Sequence, residues 1–192
     1  KWAGGKRQLL AELKEFVPVD NCKKARYFEP FIGGGSLCFH LELPSIIIND
    51  LNPEIVNVYL QIYHKPLQLI EELKKHSQQH SEEYYYKVRE LDRKKSYSKL
   101  SAIKKAARII YLNRTCYNGL YRVNSLGQFN VPIGKYENPD IVMEQRILAL
   151  NAYFHQANVE FRNMDFAEAV EDAQAGDFIY FDPPYDYDGN GF

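Results

Sequence analysis

Residues 27–50 read YFEPFIGGGSLCFHLELPSIIIND, and their pattern decides the fold. Tyr27-Phe28 opens a short strand that runs into Glu29-Pro30-Phe31-Ile32 and the triple glycine Gly33-Gly34-Gly35, after which Ser36 to Leu43 suits a helix. Ile46-Ile47-Ile48 is an unbroken β-branched run closed by Asn49-Asp50, the mark of a parallel strand buried on both faces. Upstream, Leu9, Leu10, Leu13 and Phe16 recur at helical spacing after the Gly4-Gly5 turn. Downstream, Pro53 opens a helix to about Tyr63, and helical patterns follow over roughly 66–78, 82–95 and 99–112. In the last of these Leu100, Ile103, Ala107 and Ile110 share a face, with Lys104, Lys105 and Arg108 elsewhere.

Between Arg114 and Asn138 the periodicity fails, and Asn118-Gly119, Gly127, Pro132 and Gly134 indicate hairpins and loops. A helix from about Asp140 to Ala157, a strand over Val159 to Arg162, a helix that Asp165 caps and a strand over Phe178 to Phe181 complete the pattern. Apolar strands alternating with helices specify an α/β domain with a mainly parallel sheet. We expect residues 1–63 and 139–192 to form this core, and residues 64–138, which contribute no core strand, to form a helical insertion carrying a β-hairpin.

The 192-residue chain is 45% hydrophobic and 26% charged, which excludes disorder and repeat arrays. It has no apolar run long enough to span a bilayer and no signal-peptide order at its start, so a cytoplasmic protein without membrane association is expected. Cys22, Cys38 and Cys116 lack the close pairing of metal or redox sites and read as reduced structural thiols, with no metal. The net charge of -1 hides an asymmetry: Lys87 to Arg122 holds eleven bases against Glu90 and Asp92. Such a stretch suits a phosphate backbone, and equally a solvated helix surface balanced by acids folded nearby.

Three strand ends carry residues that fit a ligand, which in parallel sheets gathers at carboxyl ends. The Glu29 to Gly35 loop lets backbone approach a nucleotide-like molecule, although an ordinary turn would use the same glycines. Asp50 is placed to accept both hydroxyls of a ribose; the competing use is a strand-end turn or a helix N-cap before Pro53. Asp182-Pro183-Pro184-Tyr185 is the most specific. Its prolines hold the Asp182 carboxylate and the Pro183 carbonyl as acceptors and aim the Tyr185 ring at what they hold. A planar base with an exocyclic amino group fits, its two hydrogens on two acceptors and its ring on the tyrosine. Fixed acceptors stabilise the positive charge that such a nitrogen develops as it attacks a methyl sulfonium, which implies direct in-line transfer with no covalent enzyme intermediate.

With these motifs in hand, the chain resembles the Dam-type adenine-N6 DNA methyltransferases of the D12 class, a family that includes GATC-specific modification enzymes. Lys1-Trp2-Ala3-Gly4-Gly5-Lys6 is similar to the family's opening motif, Phe28 to Gly35 to its cofactor loop and Asn49-Asp50 to its ribose turn. Tyr117 to Arg122 with Phe129-Asn130-Val131-Pro132 resembles its DNA-reading loop, and Asp182 to Tyr185 its catalytic loop. The resemblance implies a Rossmann-like core with a target-recognition insertion. It implies S-adenosyl-L-methionine held by Trp2, Lys6, Phe31, Gly33, Gly35, Asp50, Asp165, Phe166 and Asp182. It also implies double-stranded DNA as partner. Tyr117 and Asn118 would lie near the gap of an extruded adenine, Arg122 on a guanine edge, Leu120 or Pro132 on a thymine methyl, and Lys104, Lys105 and Tyr136 along the duplex. The helix from Lys99 to Arg114 would hold phosphates.

Family members continue past the catalytic loop with strands that complete the sheet, whereas this sequence runs from Lys1 to Phe192. A fragment of a longer protein or a truncated product with an open edge is expected, as a monomer or weak dimer. Rival readings are amino methylation of cytosine N4, RNA adenine or a protein glutamine, and a catalytically silent DNA-binding module.

Overall fold

A computed structural model of the chain describes residues 10–17 and 25–183. The elements are α1 (Leu10–Phe16), β1 (Tyr27–Glu29), α2 (Cys38–Leu41), β2 (Ser45–Asn49), α3 (Pro53–His64), α4 (Pro66–Gln78), α5 (Glu82–Arg89), α6 (Ala102–Thr115), α7 (Glu144–Gln156), β3 (Asn158–Arg162) and β4 (Phe178–Ile179). Among the described residues one parallel sheet forms, in the order β3-β2-β1-β4. The apolar run Ile46 to Ile48 is buried, each side chain contributing roughly 1.5–3 kcal/mol relative to exposure. Because β2 and β3 lie on one side of β1 and β4 on the other, the strand order reverses between β1 and β4. That switch point opens a crevice at the carboxyl ends of the two strands.

Asn49, buried at the end of β2, fastens three strand ends at once. Its amide donates to the carbonyls of Pro30 (3.0 Å) and Met164 (3.1 Å) and its side-chain oxygen accepts the Met164 amide (3.1 Å). On the β1–β4 side, Arg26 spans Asp172 and Asp177 at 2.8 Å each and lies over the Phe28 ring, holding the approach to β4 against β1.

Several expected boundaries move, each for a local reason. The helix expected over 36–43 is the single turn α2, closed by Glu42 in the left-handed conformation (φ 48°). The helix expected over 82–95 stops at Arg89 and continues as 3₁₀ turns over Glu90–Arg93 and Lys95–Lys99. There the carbonyls of Val88 and Arg89 accept from the Arg108 guanidinium at 3.0 and 2.8 Å. The helix expected from Asp140 begins at Glu144, because Met143 is left-handed (φ 48°) and gives its amide to the Asp140 carboxylate. The helix that Asp165 was expected to cap is a 3₁₀ turn over Glu168–Val170 with Ala167 at its N-cap, and the Asp165 side chain instead accepts the Ala167 amide at 2.9 Å.

α6 differs most from expectation. Only its first turns are amphipathic, and from Ala106 to Asn113 it is buried on every side by α3, α4 and α5. Arg108, placed by periodicity on the outer face, is 1% exposed. One hydrophobic cluster runs from the strands through α3 and α4 to α6 and Phe129, so residues 64–138 share the core of the sheet.

A polar aromatic cluster locks α4, α5 and α6 together. His76 stacks on Tyr111 (4.9 Å, 16°) with Nδ1 2.9 Å from the Tyr84 hydroxyl, and His80 Nδ1 lies 2.9 Å from the Tyr111 hydroxyl. Burial pushes His76 down from 6.5 to about 4, against the small opposing pull of Glu72, and lowers His80 as well. In that interval the unfolded chain binds the proton that the folded chain refuses. Stability is therefore full above 6.5 and falls as pH drops toward about 4, by up to about 1.4 kcal/mol per pH unit for His76. Urea denaturation between pH 7 and 4.5 checks this. The His76→Phe variant should lose much of the slope, and an unchanged slope would contradict the assignment.

Candidate active site and DNA-reading surface

The β1–β4 crevice collects the groups that the sequence singles out. Asp50 leaves β2 with one carboxylate oxygen accepting the Gly33 amide (3.1 Å) and the other the Asn52 amide (2.9 Å). Burial raises its pKa, partly offset by those two amides. Of the two competing uses of Asp50, the N-cap falls to Asn52, which accepts the Glu54 amide at 2.9 Å, and the strand-end turn is present, since Asp50 accepts the Asn52 amide. Tyr59 of α3 donates its hydroxyl to the Gly33 carbonyl at 2.6 Å and so fixes the glycine loop from below. Gly33 and Gly35 have φ of 43° and 60°, a left-handed backbone that side chains resist.

Phe31 stands at the centre of three rings. Its centroid is 5.3 Å from Phe166, which follows β3, and 6.4 Å from Phe181, which follows β4. Phe166 and Phe181 are 45% and 48% exposed, so the ring set faces the solvent side of the crevice. Phe181 was not expected at the site; its position directly before Asp182, at the end of an apolar strand, was the available signal.

Glu29 is a second group that sequence reasoning left unassigned. It is buried at the end of β1, where one carboxylate oxygen accepts the Tyr27 hydroxyl (2.8 Å) and the Cys38 amide (3.2 Å). Burial pushes its pKa to about 8, those hydrogen bonds pull it down, and the charge of Asp182 adds to the rise. The structure thus brings Glu29 and Asp182 within electrostatic reach across the crevice, one mostly protonated at neutral pH. Pro183 follows, exposed. Trp2, Lys6, Pro184 and Tyr185 lie outside the described residues.

The candidate DNA-reading residues form two groups. Tyr117, Asn118 and Pro132 are exposed together, because the Tyr117 amide donates to the Pro132 carbonyl (2.9 Å) beside the Cys116–Ile133 bridge. Gly134 permits this approach, since a Cβ there would lie 2.8 Å from the Cys116 carbonyl and 2.4 Å from the Tyr136 ring. Leu120 is half-buried against the core and less available than Tyr117. Arg122 is exposed on an antiparallel hairpin bridged at Val123–Phe129, with Nε donating to the Asn130 side chain at 2.8 Å.

Lys104 and Lys105 sit near the start of α6, roughly 20 Å along the chain axis from Tyr117. Lys105 lies over the Tyr97 ring. Of the other cations of the basic stretch, Lys87, Lys94, Lys95 and Lys99 are exposed, while several arginines make structural contacts. Arg108 pairs with Asp92 at 2.7 Å, Arg93 donates to the Phe129 carbonyl, and Arg114 donates to the Asp140 carbonyl. The expectation that the helix from Lys99 to Arg114 holds phosphates is corrected at Arg108, whose guanidinium is buried against Asp92.

A cavity of about 670 Å³ lies between the glycine loop, α3, α6 and α7. The glycine loop (Gly33, Gly34) lines one end and Asn113 and Arg114, just before Tyr117, line another, with α7 closing the side at Arg146 and Ile147.

Among known proteins, the model of the D12 class N6 adenine-specific DNA methyltransferase family matches residues 2–190 of the chain. The chain is 48% identical over 185 residues to a type II methyltransferase, M1.LlaDCHI, of Lactococcus lactis subsp. cremoris, which covers 96% of this chain and 64% of that protein. It is 40% identical over 200 residues to the type II methyltransferase M.MjaIII of Methanocaldococcus jannaschii, covering 96% of this chain and 68% of that protein. Against the DNA adenine methylase of Escherichia coli strain K12 the identity is 30% over 191 residues, with 96% and 63% of the two chains covered. The chain therefore spans just under two thirds of the length of the first of these relatives.

Proposed function

This chain belongs to the D12 class of N6 adenine-specific DNA methyltransferases, and from that premise we propose that it transfers a methyl group from S-adenosyl-L-methionine to N6 of an adenine turned out of duplex DNA, within GATC. The parallel sheet is then a Rossmann-like methyltransferase core, residues 64–138 its target-recognition part. The observation that carries the proposal is what the strand ends at the switch point hold: Asp50 accepts the Gly33 amide of the glycine loop, Glu29 feels the charge of Asp182, and the Phe31 ring meets Phe166 and Phe181.

These residues fit the cofactor by chemistry. The ring set of Phe31, Phe166 and Phe181 suits a flat adenine, and Asp50 suits ribose hydroxyls. Gly33 and Gly35 admit a ligand close to the backbone. Glu29 and Asp182 suit a cationic group, and S-adenosyl-L-methionine when bound supplies an electrophilic methyl on a sulfonium. At the target, the Asp182 carboxylate and Pro183 carbonyl accept the two amino hydrogens of adenine. They hold its nitrogen in line and stabilise the positive charge it gains, and the proton it then sheds passes to Asp182. Arg122, with Nε held by Asn130, presents its outer nitrogens to a guanine edge. Tyr117 and Asn118 are available to the space that the extruded base leaves.

Incubation with duplex DNA and labelled cofactor, followed by mass spectrometry of the nucleosides, tests this. N6-methyladenine is the expected product. N4-methylcytosine would move the substrate assignment, and binding without transfer would leave a silent DNA-binding module.

Glu29 provides a test that does not need turnover. A cation in the crevice favours the ionised carboxyl, so cofactor binding should release a proton below about pH 8, the value to which burial raises Glu29. Affinity should rise as pH climbs toward 8 and level off above it. Calorimetry in buffers of different ionisation enthalpy should register that release in the wild type, and less of it in Glu29→Gln. Equal proton release in both would remove Glu29 from the site.

A further inference from the structure

The ion pair of Arg108 and Asp92 points away from the crevice and toward the hairpin that carries Arg122. Arg108 is sealed under α5 and α6: Nε donates to the Val88 carbonyl and Nη2 to that of Arg89, Tyr97 covers the guanidinium at 5.0 Å, and Glu54 lies 3.9 Å away. Its close partner Asp92 makes contacts beyond neutralising it. One carboxylate oxygen takes both Arg108 Nη2 (2.7 Å) and the backbone amide of Phe129 (2.8 Å), and the other takes Arg93 Nη1 (3.0 Å). Arg93 then returns Nη2 to the Phe129 carbonyl at 3.1 Å. The Phe129 backbone is thus gripped on both polar groups.

Two residues on, the Val131 carbonyl accepts the Tyr85 hydroxyl at 2.9 Å. Phe129 and Val131 bury their side chains, so the residue between them, Asn130, is turned the other way. Asn130 is the residue that holds Arg122, through its side chain to Nε (2.8 Å) and its amide to the Arg122 carbonyl (3.0 Å). If stability alone were needed, an apolar pair would serve in place of the buried charges at least as well. Here the charge is used on one peptide amide of the hairpin.

We propose that Asp92 is a positioning residue for DNA reading: paired with Arg108, it fixes the strand that carries Asn130 and so sets where Arg122 presents its guanidinium. This rests on the DNA methyltransferase function proposed above. Asp92→Asn keeps an oxygen for the Phe129 amide but loses the charge that Arg108 orients.

Full-length wild type, Asp92→Asn, Arg122→Ala and the double variant are compared by methylation of a pool of duplexes. The readout is kcat/KM on the preferred site relative to its single-base-pair variants. Discrimination should fall about tenfold in Asp92→Asn, with kcat at saturating preferred duplex and cofactor affinity each within about twofold. The double variant should discriminate no worse than Arg122→Ala, because both changes remove the same contact. Unchanged discrimination in Asp92→Asn, or additive losses in the double variant, overturns the proposal. If Asp92→Asn does not fold, Arg93→Ala, which frees the Phe129 carbonyl and removes one of the cations on Asp92 but leaves the Arg108–Asp92 pair, should lose about threefold in the same ratio, and no loss counts against the idea. A wild type that methylates no duplex defeats the parent function instead.

Discussion

Replacing Asp182 by alanine is expected to slow methyl transfer about 100- to 1000-fold while leaving duplex affinity within about twofold. β4 delivers this residue to the switch-point crevice, and the Tyr180 amide still pairs with the Phe28 carbonyl (2.9 Å) two residues before it, so the backbone there is anchored to the central strand. Under the proposed function this acceptor stabilises charge on the reacting nitrogen, and its second part, in holding the cofactor, is taken out of the comparison by saturating cofactor. The loss should then fall on the chemical step rather than on duplex binding. Single-turnover transfer with saturating duplex and cofactor separates the two, and Asp182→Asn, which keeps one acceptor oxygen, should lose less than alanine does. Near-normal single-turnover rates in Asp182→Ala would remove it from catalysis.

Gly35→Ala should cost about 2–4 kcal/mol of stability and at least about tenfold in cofactor affinity. An added Cβ would stand 2.0 Å from Phe39 Cε2 and 2.6 and 2.7 Å from its neighbours in the ring, on a residue whose φ is 60°. Phe39 can yield only by giving up its edge-to-face contacts with Tyr59 (5.4 Å) and Phe154 (5.7 Å). Otherwise the loop must move, and with it the Gly33 amide that Asp50 accepts. Thermal denaturation should show a drop of roughly 5–15 °C. A melting temperature within about 2 °C of wild type would mean that the loop has slack the geometry denies.

The strand–loop–strand unit of residues 27–50 was legible because parallel strands covered on both faces must be apolar throughout, and Ile46 to Ile48 have no other use. The position of Asp50 at a strand end beside the glycine loop was legible as well, since Asn49-Asp50 closes the apolar run, and the structure places its carboxylate on the Gly33 amide; Phe31 came from the family resemblance. What local pattern does not carry is pairing at long range. Periodicity puts Arg108 on the wet face of its helix, and only the arrival of Asp92, 2.7 Å away from a separate turn, makes that position an interior one. The same capture of the Val88 and Arg89 carbonyls ends α5 early, so one tertiary contact accounts for a misplaced boundary and a misassigned charge. Glu29 was read as the start of the glycine loop but its side chain was given no role, because its raised pKa comes from burial at the end of β1, which nothing in its neighbours announces.

The most direct measurement is a crystal structure of the full-length protein with S-adenosyl-L-methionine or an unreactive analogue and a duplex containing its preferred site. The expected result is cofactor adenine among Phe31, Phe166 and Phe181, ribose on Asp50, and one exocyclic amine within about 3 Å of both the Asp182 carboxylate and the Pro183 carbonyl. A cofactor seated away from the β1–β4 crevice, or a target base that stays stacked with Asp182 remote from it, would contradict the assignment at its root.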